Sequence, residues 1–180
     1  MSKATNPYKL DVVSIRLVKD APLYSGHPIK NPLDAVSLVG EQLCEMDREV
    51  LWVINLCSDG KPINCSFVSV GTVNESLAHP REIFKSSILS NAACMLIVHN
   101  HPSGNLTPSK NDTMLTDRMV KMCTYMGIPL EDHIIVGGDN TSYFSFKEKN
   151  IMPTPKCMVN TDYHEIDFNL PLVAEEGKAR

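Results

Sequence analysis

The sequence predicts an α/β or α+β domain in which helices flank a single mixed sheet. Segments with the apolar pattern of strands alternate along the chain with segments that have the pattern of helices, and this order is typical of helices packed on a sheet. The run Ala93 to Val98 is apolar throughout, as expected of a strand that is covered on both faces. At 180 residues, the chain has the length of one domain.

The first predicted elements are a strand and a helix, which follow an N-terminal tail of residues 1–8. Polar and apolar residues alternate from Lys9 to Lys19, as they do in a strand with one buried face. After a loop rich in proline, apolar residues recur at helical spacing and predict a helix from Ala35 to Met46. Asn31 or Asp34 could cap the start of this helix.

The middle of the chain predicts a hairpin and a second helix before the buried strand. Glu49 to Cys57 is rich in β-branched and aromatic residues, and the turn Ser58-Asp59-Gly60-Lys61 follows it. Ile63 to Val73 is therefore expected to be its antiparallel partner. Pro80 favours the start of a helix that covers Arg81 to Ser90.

A third helix and a terminal hairpin complete the predicted domain, which covers residues 9–150. The helix ends near Met126, and its expected buried stripe consists of Leu115, Met119, Met122 and Met126. Glu131 to Val136 and Ser142 to Phe146 predict a hairpin around a turn that contains two glycines. Residues 151–180 contain three prolines and little periodicity, which indicates a C-terminal arm or a disordered tail.

Composition bears on whether the protein binds nucleic acid, whether it crosses a membrane, and in which compartment it is found. The net charge is −4 and the sequence pI is about 5.8, so nucleic-acid binding is possible through a local basic face but is not supported by the charge. No apolar run reaches the length of a membrane helix. The six cysteines are scattered and contain no C-x-x-C pair, which favours a reducing, cytoplasmic environment over a disulfide framework.

The residues that could carry chemistry lie in the polar segment after the buried strand. His99 and His101 are two positions apart on extended backbone, so their rings project to the same side. Asp112, at the start of the next predicted helix, could return to the same point. Two imidazoles and one carboxylate form a ligand set suited to zinc, with a fourth position left for a water molecule.

Simpler interpretations of the same residues remain open at this point. A His-x-His pair at the end of a strand can be a surface pair or a hydrogen-bonded pair with no metal. Ser109-x-x-Asp112 fits a helix capping box, in which the serine caps and the aspartate lies at the positive end of the helix. The two interpretations are compatible, because a capped helix start would hold a carboxylate ligand still.

The complete string His-Asn-His-Pro-Ser-Gly-Asn-x-x-Pro-Ser-x-x-Asp, residues 99–112, resembles the signature of RadC-like proteins in the JAB/MPN superfamily of JAMM metalloproteases. Flanking segments are also similar to that family: Val70-Gly71-Thr72, the stretch from Pro80 to Phe84, and Asp132-His133-Ile134-Ile135. The resemblance covers about Leu10 to Met152. It implies a single JAB/MPN domain with a mixed, cytidine-deaminase-like sheet.

The resemblance also implies a mechanism and a role for each site residue. His99, His101 and Asp112 would bind Zn²⁺, Glu49 would act as the general base on the zinc-activated water, and Ser109 would stabilise the oxyanion. The reaction would be hydrolysis of a peptide or isopeptide bond in a peptide or protein substrate of unknown identity. RadC proteins carry a helix-hairpin-helix module in front of this domain, and the short predicted tail before Lys9 leads us to expect no such module here.

Several alternatives accompany this assignment. Glu41, Glu45 and Glu75 are possible substitutes for Glu49. His133 is expected to be a buried histidine or a partner of a metal ligand rather than a fourth ligand. The alternative function is a non-catalytic interaction module, associated with DNA repair or mobile elements, that uses the same fold.

Overall fold

The computed structural model describes residues 12–70, 78–139 and 141–155. In these residues the chain forms the elements α1 (Pro32–Cys44), β1 (Val50–Leu56), β2 (Pro62–Val70), α2 (Pro80–Leu89), β3 (Cys94–Asn100), α3 (Lys110–Met126), β4 (Leu130–Val136) and β5 (Tyr143–Ser145). The predicted tail of residues 1–8 and most of the predicted C-terminal arm lie outside the described residues.

The strands form one mixed sheet in the order β2-β1-β3-β4-β5. β1 pairs antiparallel with both β2 and β3, β3 pairs parallel with β4, and β4 pairs antiparallel with β5. The parallel pair requires a crossover, and α3 provides it. The predicted fold class, a mixed sheet flanked by helices, is therefore confirmed.

Helices cover both faces of the sheet, so the central strands are buried on each side. One apolar cluster joins α1 to residues such as Ile54 and Val98, and a second joins α2 and α3 to residues such as Val53 and Ile97. Six of the seven residues of β3 are buried. This burial accounts for the continuous apolar run that precedes His99, because neither face of β3 meets solvent.

The start of α1 shows why the two predicted capping residues are three positions apart. The side chain of Asn31 accepts a hydrogen bond from the backbone N–H of Asp34 at 3.0 Å, and Asp34 Oδ2 accepts one from the N–H of Asn31 at 3.2 Å. Asn31 and Asp34 thus form a reciprocal capping box. A hydrogen bond from the N–H of Lys30, followed by those from Asn31, lowers the pKa of Asp34.

The predicted strand from Lys9 to Lys19 is wrong for residues 12–19, while residues 9–11 lie outside the description. This segment has no regular secondary structure, and its apolar side chains are exposed, with Val12 98% and Val18 89% accessible. Alternation of polar and apolar residues produces one apolar face, but a strand also needs a neighbouring strand for its backbone hydrogen bonds. The described strands do not supply one.

The buried face of α3 also differs from the predicted stripe. Met119 is buried as expected, but Met122 and Met126 are 36% and 45% exposed. The helix instead buries Thr116, Met119, Val120 and Cys123. The sequence pattern favoured the large apolar residues, whereas the helix is rotated so that the hydroxyl of Thr116 reaches a buried partner.

The other boundaries differ from the prediction by a few residues. The last strand is shorter than Ser142 to Phe146, and Phe146 lies in the turn that follows it while remaining buried. The end of the strand predicted to reach Val73 falls in residues 71–77, outside the description. Within the described ranges, no helix is both long enough and apolar enough to cross a bilayer.

Asp132 is a buried carboxylate that joins β4 to the turn after β5. It is 2% exposed, and it accepts hydrogen bonds from the Ser145 hydroxyl at 2.5 Å and from the N–H of Lys147 at 2.9 Å. Burial raises the pKa of Asp132 even though these donors favour the charged form. The carboxylate therefore links β4 to β5 and to the turn that follows it.

We expect Asp132→Ala to lower the free energy of unfolding by about 2–3 kcal/mol, because it leaves several buried donors without an acceptor. Urea denaturation followed by circular dichroism measures this change. Asp117→Ala is the control, since that carboxylate pairs with Lys121 on the surface of α3 and should contribute less than about 1 kcal/mol. Equal losses in the two variants would contradict the role given to Asp132.

Candidate metal centre

Three predicted ligands meet where β3 ends and α3 begins. Nε2 of His99 lies 3.1 Å from Nε2 of His101. Asp112 approaches both rings, with Oδ1 3.3 Å from Nε2 of His99 and Oδ2 3.5 Å from Nε2 of His101. The three residues form the group in the described chain that could hold a metal ion.

The ends of two rigid elements bring these side chains together. His99 belongs to β3, and the N–H of His101 continues the parallel pairing by donating to the carbonyl of Val136 at 3.1 Å. The two rings therefore share the face of the sheet on which α3 packs. On the opposite side of the centre, Asp112 lies in the first turn of α3.

The capping box of α3 holds the carboxylate of Asp112. Ser109 Oγ accepts a hydrogen bond from the N–H of Asp112 at 3.1 Å, and Asp112 Oδ2 accepts one from the N–H of Ser109 at 2.6 Å. The helix-cap and metal-ligand interpretations of Ser109-x-x-Asp112 thus apply to the same geometry. A single capping motif ends the loop and fixes the direction of one candidate ligand.

The tautomer of His101 follows from its hydrogen-bond partner. Nδ1 of His101 lies 2.5 Å from the carbonyl oxygen of Asn105, and a carbonyl can only accept. Nδ1 must therefore carry the proton. In the neutral ring, Nε2 is then an unprotonated acceptor that faces His99 and Asp112.

A chain of buried hydrogen bonds fixes the tautomer of His99 in the same way. Nδ1 of His99 lies 2.9 Å from Nε2 of His133, and Nδ1 of His133 lies 2.7 Å from the hydroxyl of Thr116. That hydroxyl donates to the carbonyl of Asp112 at 2.7 Å, so it must accept from His133. Nε2 of His133 is consequently an acceptor, and Nδ1 of His99 is the donor.

Burial keeps His133 neutral in this chain. The residue is 0% exposed, and its ring stacks on Phe146 with the two ring centroids 5.1 Å apart. Burial, with a smaller effect from nearby His99, holds the pKa of His133 well below its usual value. The sequence-based interpretation of His133 as a buried partner of a metal ligand agrees with these contacts.

Two imidazole lone pairs and a carboxylate consequently converge on one point. Acceptors at these separations repel one another unless a cation lies among them. Ligand atoms about 2.0–2.1 Å from a tetrahedral zinc ion lie about 3.3 Å from one another, close to the 3.1–3.5 Å found here. The donor set and its spacing thus fit a zinc ion.

The pKa shifts of Asp112 and His101 also favour a positive charge in the centre. Partial burial acts to raise the pKa of Asp112, but hydrogen bonds with the rings of His101 and His99 outweigh it and lower that pKa well below its ordinary value. The hydrogen bond with Asp112 raises the pKa of His101, against the opposing effect of burial. Both shifts favour a positive charge next to the Asp112 carboxylate.

Glu49 and Ser109 lie at the border of this cluster. Glu49 directly precedes β1, is 45% exposed at its side chain, and places Oε1 4.0 Å from Nε2 of His101. Ser109 is exposed and uses its hydroxyl oxygen to accept the capping hydrogen bond, which leaves its own proton available for donation. Of the alternatives to Glu49, Glu75 lies outside the described residues.

The structure adds residues that the sequence analysis did not select. Thr116 and Asn105 are the partners that determine which ring nitrogens face the centre. Asn100, whose side chain lies on the opposite face of β3, bonds the backbone beside Glu49. Of these three residues, only Asn100 carried a weak sequence signal, since it is a polar residue at the end of a strand that is apolar from Cys94 to Val98.

Comparison with known proteins identifies the family of this chain. The model of the RadC-like JAB domain matches residues 29–151, a range that contains all five predicted site residues. The chain belongs to the RadC-like JAB domain family. The N-terminal segment that has no strand in the structure, residues 12–19, lies before the matched range.

Relatives of this RadC-like JAB domain include several UPF0758 proteins. Those of Moorella thermoacetica and Clostridium perfringens are 40% and 44% identical over 124 residues, or 69% of this chain. That of Protochlamydia amoebophila is 38% identical over 128 residues, or 71% of this chain. The chain spans about half the length of these relatives, 53–54%.

We expect this RadC-like JAB domain to bind one Zn²⁺ per chain and to release a proton when it does so. Because the pKa of His101 is raised, the proton released per zinc should approach one as the pH falls towards 6 and should decline as the pH rises above the pKa of His101. Isothermal titration calorimetry in buffers of different ionisation enthalpy measures both quantities.

His101→Ala should abolish stoichiometric binding, and His27→Ala should bind zinc like the wild type, because His27 is an exposed histidine next to Asp34. Unchanged zinc binding by His101→Ala would contradict the assignment of this centre.

We expect Thr116→Val to weaken zinc binding about 10- to 100-fold, the range typical of partners that orient metal ligands. The substitution removes the hydroxyl that fixes the tautomer of His133 and, through it, that of His99. Competition against a fluorescent chelator measures the affinity. Thr124→Val is the matched control, because Thr124 makes the same i−4 hydrogen bond, to Val120, elsewhere in α3. Equal affinities in the two variants would exclude a specific role for Thr116.

Proposed function

We propose that this protein is a zinc-dependent hydrolase of the JAMM type that cleaves a peptide or isopeptide bond. The observation that carries the proposal is the position of the Glu49 carboxylate, with Oε1 4.0 Å from Nε2 of His101. A carboxylate at this distance from the ligand set can exchange protons with a molecule bound beside it. A metal site kept only for stability would not need it.

Zinc, when bound by His99, His101 and Asp112, would supply the Lewis acidity that makes water nucleophilic near pH 7. In this proposal, a carboxylate oxygen of Glu49 accepts the proton of the attacking water and returns it to the leaving amine. Its half-exposed side chain can reach solvent and a bound substrate while remaining beside the imidazoles. One group can therefore serve first as base and then as acid.

In this proposal, the hydroxyl of Ser109 donates a hydrogen bond to the substrate oxygen as negative charge develops on that oxygen. Its oxygen already accepts from the N–H of Asp112 at 3.1 Å, and its proton is directed by no acceptor among the contacts described above. The position at the start of α3 adds the positive end of the helix dipole. Donors of this kind contribute about 2.7–4 kcal/mol in well-studied enzymes.

The proposed substrate class rests on the resemblance to JAMM metalloproteases, and the chemistry of the site is compatible with it. The ligand set, the base and the hydroxyl donor suit attack on an amide carbonyl, and both peptides and lysine-linked isopeptides contain one. A cytoplasmic location is part of the proposal and is supported by the scattered cysteines. The non-catalytic module remains the alternative that the experiment below separates from the hydrolase.

We expect Glu49→Gln to retain zinc and to lose hydrolysis by about 100-fold or more, because it removes only the proton acceptor. The assay incubates the zinc-loaded protein with a mixed peptide library and with lysine isopeptides, and mass spectrometry detects the newly formed amines. Asp112→Ala should lose both zinc and hydrolysis.

Glu45→Gln is the matched control and also tests an alternative base. Glu45 is exposed and caps the C-terminus of α1 four positions earlier, so this variant should remain as active as the wild type. Full activity of Glu49→Gln would show that the base is another residue. Stoichiometric zinc with no hydrolysis that depends on Glu49 would favour the interaction module.

A further inference from the structure

The residue between the two candidate histidine ligands anchors the backbone on both sides of Glu49. Asn100 is the last residue of β3 and is 1% exposed. Its Oδ1 accepts a hydrogen bond from the N–H of Val50 at 2.7 Å, and its Nδ2 donates one to the carbonyl of Arg48 at 3.0 Å. The two peptide groups that flank Glu49 are therefore held by a single side chain.

Asn100 continues the sheet at the position where the backbone ladder stops. The pairing of β1 with β3 ends at Leu51 opposite His99. A carboxamide carries one acceptor and one N–H donor group in the same plane, as a peptide group does. The side chain of Asn100 thus supplies the next pair of ladder hydrogen bonds and fixes the start of β1 against the end of β3.

Side chains alternate between the two faces of β3, so Asn100 and the two histidines lie on opposite faces. His99 and His101 project to the face covered by α3, so Asn100 between them projects to the other face. It can hold the backbone of Glu49 without entering the space next to the imidazoles. The Glu49 carboxylate, which is half exposed, extends from this anchored backbone to 4.0 Å from Nε2 of His101.

A second buried asparagine, Asn55, does not bond the main chain as Asn100 does. Asn55, in β1, is 0% exposed, but it donates to side chains, Asn64 Oδ1 at 2.7 Å and Ser86 Oγ at 3.1 Å, within a polar cluster beneath α2. Asn100 instead bonds the main chain, on the two sides of one acidic residue. Asparagine is disfavoured in strands, so its place at the end of an apolar strand calls for such a contact.

We infer that Asn100 is a positioning residue that holds Glu49 opposite the candidate metal ligands. The inference rests on the proposed function, because it gives Glu49 the role of base. A displacement of about 1 Å in a reacting group can reduce a rate about 100-fold. Loss of the anchor should therefore lower kcat, while zinc binding and KM stay nearly unchanged because no ligand is altered.

The first test measures the anchor directly and needs no substrate. In Asn100→Ala and Asn100→Val, hydrogen exchange at the Val50 amide, followed by NMR, should accelerate at least about tenfold, since its acceptor is gone. Valine is included because it suits the apolar neighbours of β3 and preserves the fold if alanine does not. Asn55→Ala, the matched control, should leave exchange at Val50 and zinc stoichiometry unchanged.

The second test uses the hydrolysis assay with a double-mutant cycle. Asn100→Val alone should reduce kcat about 10- to 100-fold with KM within about twofold of the wild type. In the Glu49→Gln background the same substitution should cause no further loss beyond about twofold, because the two changes act through one group.

Every result of these two tests either supports or overturns the role inferred for Asn100. Accelerated exchange at Val50, a fall in kcat with zinc retained, and no further loss on top of Glu49→Gln would support it. Unchanged exchange, unchanged kcat, or a loss that multiplies with that of Glu49→Gln would overturn it while leaving the proposed function intact. Full activity of Glu49→Gln is a different result: it would refute the proposed base, and the role of Asn100 with it.

Discussion

Two imidazole nitrogens and a carboxylate that face one another at 3.1–3.5 Å are the constraint on which the rest of the site depends. While the two rings are neutral, neither can relieve the repulsion by turning a protonated nitrogen inwards, because Nδ1 of each ring already donates elsewhere. The carbonyl of Asn105 holds one ring, and the chain through His133 and Thr116 holds the other. The arrangement therefore favours a positive charge among the three groups, because the surrounding hydrogen bonds hold their acceptor atoms face to face.

The sheet brings the residues of the site together because β1 begins where β3 and β4 end. β3 pairs with β1 on one side and with β4 on the other, so its last residues meet Glu49 from the first neighbour and His133 from the second. α3, the crossover between the parallel strands, returns Asp112 and Thr116 to the same edge. The three candidate ligands, the candidate base and the residues that orient the rings thus come from four elements or their ends, β1, β3, β4 and α3, and from the loop that holds Asn105.

The sequence analysis succeeded where the signal is local. His-x-His on extended backbone and Ser-x-x-Asp at a helix start each specify a geometry within a few residues, and the structure has both. It failed for residues 12–19, because alternation describes a face and not the neighbour that a strand needs. It misplaced the stripe of α3 because the hydrophobic pattern gives no weight to threonine, although Thr116 is buried and its hydroxyl contacts His133 and the carbonyl of Asp112.

By itself, the sequence determined the class of fold, the order of the elements from α1 onwards and the three candidate ligands, since periodicity, turn residues and short spacings act over a few positions of the chain. Only the tertiary structure decided which ring nitrogens face the centre and what holds Glu49 beside it. Those contacts join His99 to His133, 34 residues away, and Asn100 to Val50, 50 residues away. Hydrogen bonds over such separations depend on strand order and register, which the packing of the whole domain fixes and no local pattern encodes.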